Sequence, residues 1–339
     1  MNVHDAILYA HLENNKVRCL VCPRLCTLYE GETGYCGVRK NISGELKTLI
    51  YSLVSSAAVD PIEKKPLFHF FPGSRVFSVG TFGCNFRCLG CQNWQIACSQ
   101  PTGGEDISPE YLLELAKRYS CRGVAWTYNE PTIWIEYVLD SAKIIKKSGL
   151  YTVMVTNGYI TLKALDLIAP YIDAYRVDLK GIRGKYYCEA ANVDDIKPIL
   201  LAIKTAKYKY NCHVEIVTNV VPGYNDSSEE ITETASWIKN ELGPDTPWHI
   251  TRFFPQYELL SLVPTPIEKL NEAYRIAKEI GLNFVYTGNL VGGRENTYCP
   301  VCGELLIERN GYEILRNELK SDKCPKCGAK INIKGINYV

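Results

Sequence analysis

From residue 75 onward, short apolar runs alternate with longer amphipathic stretches. The apolar runs are rich in β-branched and aromatic residues, which predicts strands. They cover residues 75–81, 123–127, 151–156, 174–179, 213–221, 248–254 and 283–286. The stretches between them predict helices, and the first of these helices has a clear start. Ser108 suits its N-cap and Pro109 its first position.

This alternation predicts an α/β fold built from parallel βαβ units. Six or seven units in a row, with no Gly-rich dinucleotide loop, favour a barrel or partial barrel over a doubly wound sheet. Functional side chains of such barrels lie at the carboxyl ends of the strands. Polar groups do follow the predicted strands, at 128–131, 156–158, 178–180 and 222–226. We therefore expect a site at this edge of the strands.

Composition narrows the class of protein. The chain has 339 residues, 46% hydrophobic and 22% charged, with a net charge of +1 and no basic tract, so we expect no nucleic-acid partner. No run reaches the roughly 18 apolar residues of a membrane span, and residues 1–15 lack the apolar core of a signal peptide. With 15 cysteines in closely spaced groups, metal ligation in a reducing cytoplasm is the expectation, without a membrane partner.

One cysteine group directly follows the first predicted strand. It is the triplet Cys84-x3-Cys88-x2-Cys91. Three thiolates can hold three irons of a 4Fe-4S cluster and leave the fourth iron open to a small molecule. The alternatives are a zinc site with a distant fourth ligand, or reduced cysteines in the core.

The triplet after a first barrel strand resembles the signature of radical S-adenosylmethionine (radical SAM) enzymes. The resemblance implies that SAM binds the open iron and is cleaved reductively to a 5′-deoxyadenosyl radical, which abstracts hydrogen from a substrate. It also implies SAM-binding roles for residues at the strand ends, namely Asn129, Glu130, Asn157, Asp178 and Lys180. Glu130 would hold the amino group and Lys180 the carboxylate. No catalytic residue is assigned.

Further motifs resemble the AmmeMemoRadiSam-system radical SAM enzymes, relatives of the pyruvate formate-lyase activating enzymes. They are Cys22-Pro23-Arg24, the stretch 60–66, Cys91-Gln92-Asn93-Trp94, the stretch 127–131 and the stretch 285–289. The name of this family implies a link to Memo-type and AMMECR-type proteins. An electron donor such as ferredoxin or flavodoxin is expected. The substrate stays open.

Two further cysteine groups flank the predicted barrel. Cys299, Cys302, Cys324 and Cys327 form two CPxCG knuckles, which predict a zinc-ribbon-like module with structural zinc; a rubredoxin-like iron is the alternative. Cys19, Cys22, Cys26 and Cys36 have x2, x3 and x9 spacings. These spacings fit neither a usual ferredoxin run nor a standard zinc finger, so zinc and a second Fe-S cluster both stay open.

These groups divide the chain into three predicted segments. Residues 1–72 form a Cys-rich metal-binding cap, 73–292 a partial (βα)6-type barrel of the radical SAM type, and 293–339 the zinc-ribbon-like module. Two alternative functions are a glycyl-radical-enzyme activating enzyme and a non-catalytic metal-binding scaffold. The first typically carries an Arg on the fifth strand, where this chain has Val217-Thr218-Asn219.

Overall fold

The computed structural model describes residues 3–336 and consists of two compact units. The first unit comprises Met1–Asp60, Val76–Tyr175 and Asp195–Cys212, and the second comprises Pro61–Arg75, Arg176–Asp194 and His213–Val339. The three predicted segments stay a prediction, and their outermost residues, 1–2 and 337–339, lie outside the described residues.

The chain forms short strands at both ends and longer strands and helices in between. In chain order the strands are β1 (His4–Asp5), β2 (Tyr9–His11), β3 (Val17–Cys19), β4 (Thr27–Leu28), β5 (Arg39–Ile42), β6 (Glu45–Thr48), β7 (Leu53–Val54), β8 (Ser56–Pro61), β9 (Arg75–Gly80), β10 (Glu105–Asp106), β11 (Gly123–Trp126), β12 (Tyr151–Thr156), β13 (Ala174–Asp178), β14 (His213–Val220), β15 (Trp248–Arg252), β16 (Val285–Gly288), β17 (Thr297–Tyr298), β18 (Leu305–Asn310) and β19 (Glu313–Asn317). The helices are α1 (Trp94–Ala97), α2 (Pro109–Arg118), α3 (Ile135–Lys147), α4 (Leu162–Ile168), α5 (Lys197–Tyr208), α6 (Ser228–Trp237) and α7 (Ile267–Ile280).

The largest sheet has eight strands in the order β16-β15-β14-β13-β12-β11-β9-β8. β11 pairs in parallel with β9 and with β12, and β15 pairs in parallel with β14 and with β16. Parallel neighbours need a crossover connection, and helices supply it here. The predicted parallel α/β fold is confirmed, and each predicted strand is present with its ends within two residues of the predicted ones.

The strands of this sheet are buried on both faces. Every residue of β11 and β12 is buried, and so is every residue of β9 after Arg75. Within the first unit, Trp126 of β11 is in register with Val79 of β9 and with Met154 of β12. Burial on both faces explains why these strands read as continuous apolar runs rather than as alternating patterns.

The helices begin where side-chain caps are available. The Ser108 side chain accepts a hydrogen bond from the backbone N–H of Tyr111 at 3.2 Å, and Pro109 occupies the first helical position of α2, as predicted. Thr161 and Ser227 cap α4 and α6 in the same way. No helix within residues 3–336 is long and apolar enough to cross a membrane.

The amino-terminal part of the first unit consists of two small antiparallel sheets, with strand orders β1-β6-β5 and β2-β3-β4. A buried ion pair connects β5 to α3. The Arg39 guanidinium donates to both carboxylate oxygens of Glu136, at 2.9 and 2.8 Å, and both side chains are buried. Such a two-bond pair fixes one geometry, because either charge left alone in the interior would be costly.

In the second unit, β17, β18 and β19 form an antiparallel sheet beside the carboxy-terminal cysteines. Its buried core contains Leu306, Ile307, Leu319 and the cysteines Cys299 and Cys324. Two of the four thiols therefore belong to the hydrophobic core of this sheet. Loss of the metal-ligand arrangement would loosen that core.

A buried carboxylate joins several segments of the second unit through hydrogen bonds. Glu215 of β14 accepts hydrogen bonds from the backbone N–H groups of Phe68 and His69, at 3.0 and 2.8 Å. It also accepts from Nε2 of His213 and of His249, at 2.9 and 2.7 Å. Burial raises the pKa of the Glu215 carboxyl, but the hydrogen bonds from the two histidines outweigh it, so the pKa lies below its usual range.

Replacing Glu215 with Gln tests this network. Gln puts an NH2 group where one carboxylate oxygen accepts hydrogen bonds, so buried donors lose their partner. We expect the free energy of unfolding to fall by about 3 kcal/mol, measured by urea unfolding. The exposed Glu258→Gln is the control and should change it by less than about 0.5 kcal/mol. Equal stability of the two variants would contradict the role given to Glu215.

Candidate active site

The triplet lies on a loop that begins after β9 and is closed by its own hydrogen bonds. The backbone N–H of Phe86 donates to Sγ of Cys84 at 3.3 Å, and the N–H of Cys91 donates to the carbonyl of Cys88 at 3.2 Å. The Arg87 guanidinium donates to the carbonyls of Cys84 and Phe86, each at 2.8 Å. The loop is therefore compact, although it has no regular secondary structure.

Gly83 gives this loop its close approach to the amino-terminal region of the same unit. Its φ is +84°, and a Cβ at this position would lie 2.5 Å from the carbonyl oxygen of Cys36 and 2.7 Å from Val38. No other residue fits without moving backbone. The triplet loop and the loop that carries Cys36 are therefore packed against each other.

Asn129 joins the triplet loop to the end of the neighbouring strand. Its Oδ1 accepts from the backbone N–H of Thr81 at 3.0 Å, and its Nδ2 donates to the carbonyl of Gly83 at 2.8 Å. Both ends of the amide are thus used to hold the backbone just before Cys84. The contact of Asn129 with SAM stays a prediction. The hydrogen bonds that the structure shows for its side chain go to the backbone of Thr81 and Gly83.

Glu130 ties the end of β11 to the end of β12. Its Oε1 accepts from the Thr132 N–H at 2.9 Å and from the Thr156 hydroxyl at 2.6 Å, and its Oε2 accepts from the Asn157 N–H at 2.7 Å. Burial raises the pKa of Glu130, and these hydrogen bonds oppose the rise. A carboxylate has about four acceptor sites. Three of these sites are used by donors of the chain itself.

Asn157 lies beside the first cysteine of the triplet. Its Nδ2 donates to Oδ1 of Asn85 at 2.8 Å and lies 3.9 Å from Sγ of Cys84. Asn85 in turn donates to the carbonyl of Tyr159 at 2.8 Å, while Oδ1 of Asn157 accepts from the Tyr159 N–H at 2.9 Å. The predicted residues Asn129, Glu130 and Asn157 are thus brought together with the triplet in the first unit.

The other two predicted SAM ligands belong to the second unit. Asp178 ends β13 and forms an ion pair with Arg176 at 2.8 Å. The backbone of Lys180 is fixed by the Tyr187 hydroxyl and by Nδ2 of Asn225, at 2.9 and 2.8 Å. The Lys180 ammonium lies 5.7 Å from the ring centre of Tyr186. Their contact with SAM stays a prediction.

Sequence analysis did not single out three residues that hold the site's loops in place. Asn85 and Arg87 lie between two cysteines of the triplet, so their position was the only signal. Glu230 of α6 has no such signal. Its carboxylate accepts the backbone N–H groups of Ile182 and Arg183, which fixes the loop after β13.

The donor set of the triplet fits an iron–sulfur cluster. Within residues 3–336, three or more Cys, His, Asp or Glu ligand atoms lie within 4.8 Å of one another only at the four carboxy-terminal cysteines. The triplet thiols therefore do not all lie within 4.8 Å of one another, and the fit rests on donor chemistry, because thiolates are the ligands of iron–sulfur clusters. The N–H bond from Phe86 to the Cys84 sulfur is of the kind that tunes iron–sulfur sites.

The carboxy-terminal cysteines have the spacing of a mononuclear site. Sγ of Cys299 lies 3.6 Å from that of Cys327, and Sγ of Cys302 lies 3.7 Å from that of Cys324. Four thiolates placed about 2.3 Å from one zinc ion stand about 3.8 Å apart in a tetrahedron. The predicted metal-ligand group is thus assembled, while the identity of its metal stays a prediction.

The comparisons with known proteins identify a family through the part of the chain that contains the triplet. The model of the family described as the Radical SAM superfamily matches residues 78–238. The chain is also 30% identical over 199 residues to the pyruvate formate-lyase-activating enzyme of Clostridium pasteurianum, which covers 53% of this chain and 77% of that one. The protein belongs to the radical SAM superfamily and is an enzyme of the radical SAM type.

Two relatives from Methanocaldococcus jannaschii extend this result. The chain is 43% identical over 338 residues to an uncharacterized protein, covering 98% of this chain and 99% of that one. It is 26% identical over 207 residues to a putative glycyl-radical enzyme activating enzyme, covering 60% of this chain and 76% of that one. The match to the first relative therefore spans the segments that carry the amino- and carboxy-terminal cysteine groups as well as the central part.

Replacing Asn129 with Ala tests its positioning role. The variant leaves the Thr81 N–H and the Gly83 carbonyl without their side-chain partner, so the triplet loop loses its connection to the end of β11. We expect at least about a tenfold faster loss of cluster absorbance in the presence of a chelator, since about 1.4 kcal/mol of lost stabilisation is a factor of ten. Asn289→Ala, at an exposed position bonded to Arg252, is the control. Equal rates in the two variants would contradict this role.

Proposed function

We propose that Cys84, Cys88 and Cys91 bind a 4Fe-4S cluster whose fourth iron is chelated by SAM. The observation that carries the proposal is the arrangement of Asn129 and Asn157 around the triplet loop in the first unit. When bound, the reduced cluster supplies the electron that cleaves SAM to methionine and a 5′-deoxyadenosyl radical, and the radical takes hydrogen from an unidentified substrate.

Residues of the chain position the proposed cluster and the SAM molecule. Asn129 holds the backbone before Cys84, and Glu130 keeps one acceptor site for the SAM ammonium group. Asn157 is placed beside Cys84 and takes the ribose contact. For the SAM carboxylate we propose the Asp178-Leu179-Lys180 motif, because the Lys180 ammonium carries the charge that an anionic group requires.

We place the enzyme in an AmmeMemoRadiSam system, with Memo-type and AMMECR-type proteins as partners and ferredoxin or flavodoxin as the electron donor. The motifs at 60–66, 127–131 and 285–289 support this assignment. The proposal includes a partial barrel of the radical SAM type and a cytoplasmic location. A reducing compartment suits a protein with 15 cysteines.

A glycyl-radical-enzyme activating enzyme is the second candidate function. Similarity to the Clostridium enzyme and to the putative activating enzyme of M. jannaschii favours it. In this case the hydrogen donor is a glycine of a protein partner. A glycyl-radical EPR signal that appears on an added protein would distinguish this function from hydrogen abstraction from a small molecule.

SAM cleavage is the first test of the proposed function. The protein is reconstituted anaerobically with iron and sulfide, reduced with dithionite and mixed with SAM, and 5′-deoxyadenosine is quantified. We expect product from the wild type and none above background from Cys84→Ala/Cys88→Ala/Cys91→Ala. The proposal would be contradicted if wild-type protein with an intact triplet cluster formed no 5′-deoxyadenosine.

For the carboxy-terminal group we propose structural zinc in a zinc-ribbon-like module. The sulfur distances of 3.6 and 3.7 Å support one tetrahedral ion, and each knuckle closes through a glycine N–H, from Gly303 to Cys299 and from Gly328 to Cys324. All four ligand positions are filled by thiolates, so this site stabilises its module and leaves no position for a substrate.

Removal of two ligands tests this assignment. Cys302→Ser/Cys327→Ser should release one zinc per chain, measured by elemental analysis, and lower the melting temperature, because the remaining thiols belong to the core of the β17–β19 sheet. Cys188→Ser, at an exposed position, is the control. An unchanged zinc content, or iron in place of zinc, would contradict a zinc site.

A further inference from the structure

The four amino-terminal cysteines surround a single cavity in the first unit. Cys19, Cys22, Cys26 and Cys36 all line it. Cys19 and Cys36 are buried, and the other two are half-buried. Four cysteines that line one pocket, with no disulfide among the described residues, supply the thiolates that a metal centre requires.

These cysteines lie on two separate loops of the backbone. The N–H of Cys19 donates to the carbonyl of Cys26 at 3.0 Å, and the N–H of Leu25 donates to the carbonyl of Cys22 at 3.1 Å. Cys36 lies in a separate turn, closed by a 2.8 Å hydrogen bond from Gly37 to Gly34. The four cysteines are therefore carried by two different loops, each closed by its own backbone hydrogen bonds.

The four amino-terminal thiols are not assembled for a single ion. In the part of the chain from residue 3 to residue 336, no three amino-terminal thiols lie within 4.8 Å of one another, whereas the four carboxy-terminal thiols do. The three triplet thiols likewise do not all lie within 4.8 Å of one another. The amino-terminal thiols are therefore not placed for one tetrahedral ion, whereas four thiolates are the ligand set that a 4Fe-4S cluster requires. A cluster separates its thiolates by an iron–iron distance in addition to two iron–sulfur bonds.

The cavity adjoins the triplet loop. Asn85, the residue after Cys84, is among the residues that line the cavity. Arg24, between Cys22 and Cys26, donates from Nε to the Asn85 carbonyl at 2.7 Å. On the other side, Arg87 of the triplet loop donates to the carbonyl of Tyr35, the neighbour of Cys36. The two cysteine loops therefore contact each other directly.

We propose that Cys19, Cys22, Cys26 and Cys36 bind a second 4Fe-4S cluster next to the triplet. Four thiolates saturate the four irons, so this cluster has no open iron for SAM or substrate. Its role is to accept one electron from an external low-potential donor, such as a ferredoxin or a flavodoxin, and to pass that electron to the triplet's cluster. This role rests on the proposed function, whereas the binding of the cluster does not.

Metal and sulfide counts test the binding. The variant Cys84→Ala/Cys88→Ala/Cys91→Ala is reconstituted anaerobically with iron and sulfide, and iron, acid-labile sulfide and zinc are measured per chain. We expect about four irons and about four sulfides in this variant, with none after further replacement of Cys19, Cys22, Cys26 and Cys36 by Ser. Cys188→Ser, at an exposed position, should leave the wild-type counts unchanged.

The absence of sulfide from the triplet variant is the result that would contradict this proposal. A triplet variant with no sulfide, with or without a second zinc, would overturn the second cluster. This measurement needs no SAM cleavage, so it separates failure of the second cluster from failure of the proposed function. Because the triplet variant keeps the four amino-terminal cysteines, the test does not depend on the folding of a protein that lacks them.

The electron role has its own test in Cys22→Ser, which removes one ligand at a half-buried position. With reduced flavodoxin as the donor, 5′-deoxyadenosine formation should fall at least about tenfold. With dithionite, a small reductant that does not need a relay under this proposal, it should fall by less than about twofold. An equal fall with both reductants, or no fall with either, would overturn the relay.

Discussion

A loop without regular secondary structure can present three thiols to one cofactor only if its neighbours hold it in place. Here the neighbours are amide and carboxylate side chains at the ends of parallel strands. Asn129 holds the backbone before Cys84, and Asn157 contacts Asn85 directly after it. Glu130 in turn fixes the Asn157 backbone, so the triplet loop and two strand ends form one hydrogen-bonded assembly.

The cysteine groups of this chain differ in how closely their thiols approach one another. The carboxy-terminal thiols are 3.6 and 3.7 Å apart in pairs and share a core with a small sheet, which suits one structural ion. Neither the triplet nor the amino-terminal group has three thiols within 4.8 Å of one another, and their loops contact each other through Arg24 and Arg87. Among residues 3–336, only the carboxy-terminal arrangement is assembled for a single ion.

Much of this was accessible from the sequence because the signals are local. Strands buried on both faces read as apolar runs, and caps such as Ser108 mark helix starts, so the parallel series was predicted correctly. The edge strand β8 and the short strands around Cys19 and Cys36 carry no such pattern and were not predicted. The bonds made by Glu230 and Glu215 join residues distant in sequence, and no local pattern reports them.

The central claim is that SAM binds the open iron at Cys84, Cys88 and Cys91, and one measurement tests it most directly. The reduced protein is mixed with SAM labelled with ¹⁵N at the amino group or ¹⁷O at the carboxylate, and hyperfine couplings are recorded by ENDOR on the EPR signal of its iron–sulfur cluster. Couplings from both labels, absent when the three cysteines are replaced by Ala, are the predicted result. A cluster signal that SAM leaves unchanged, with no coupling from either label, would contradict the account.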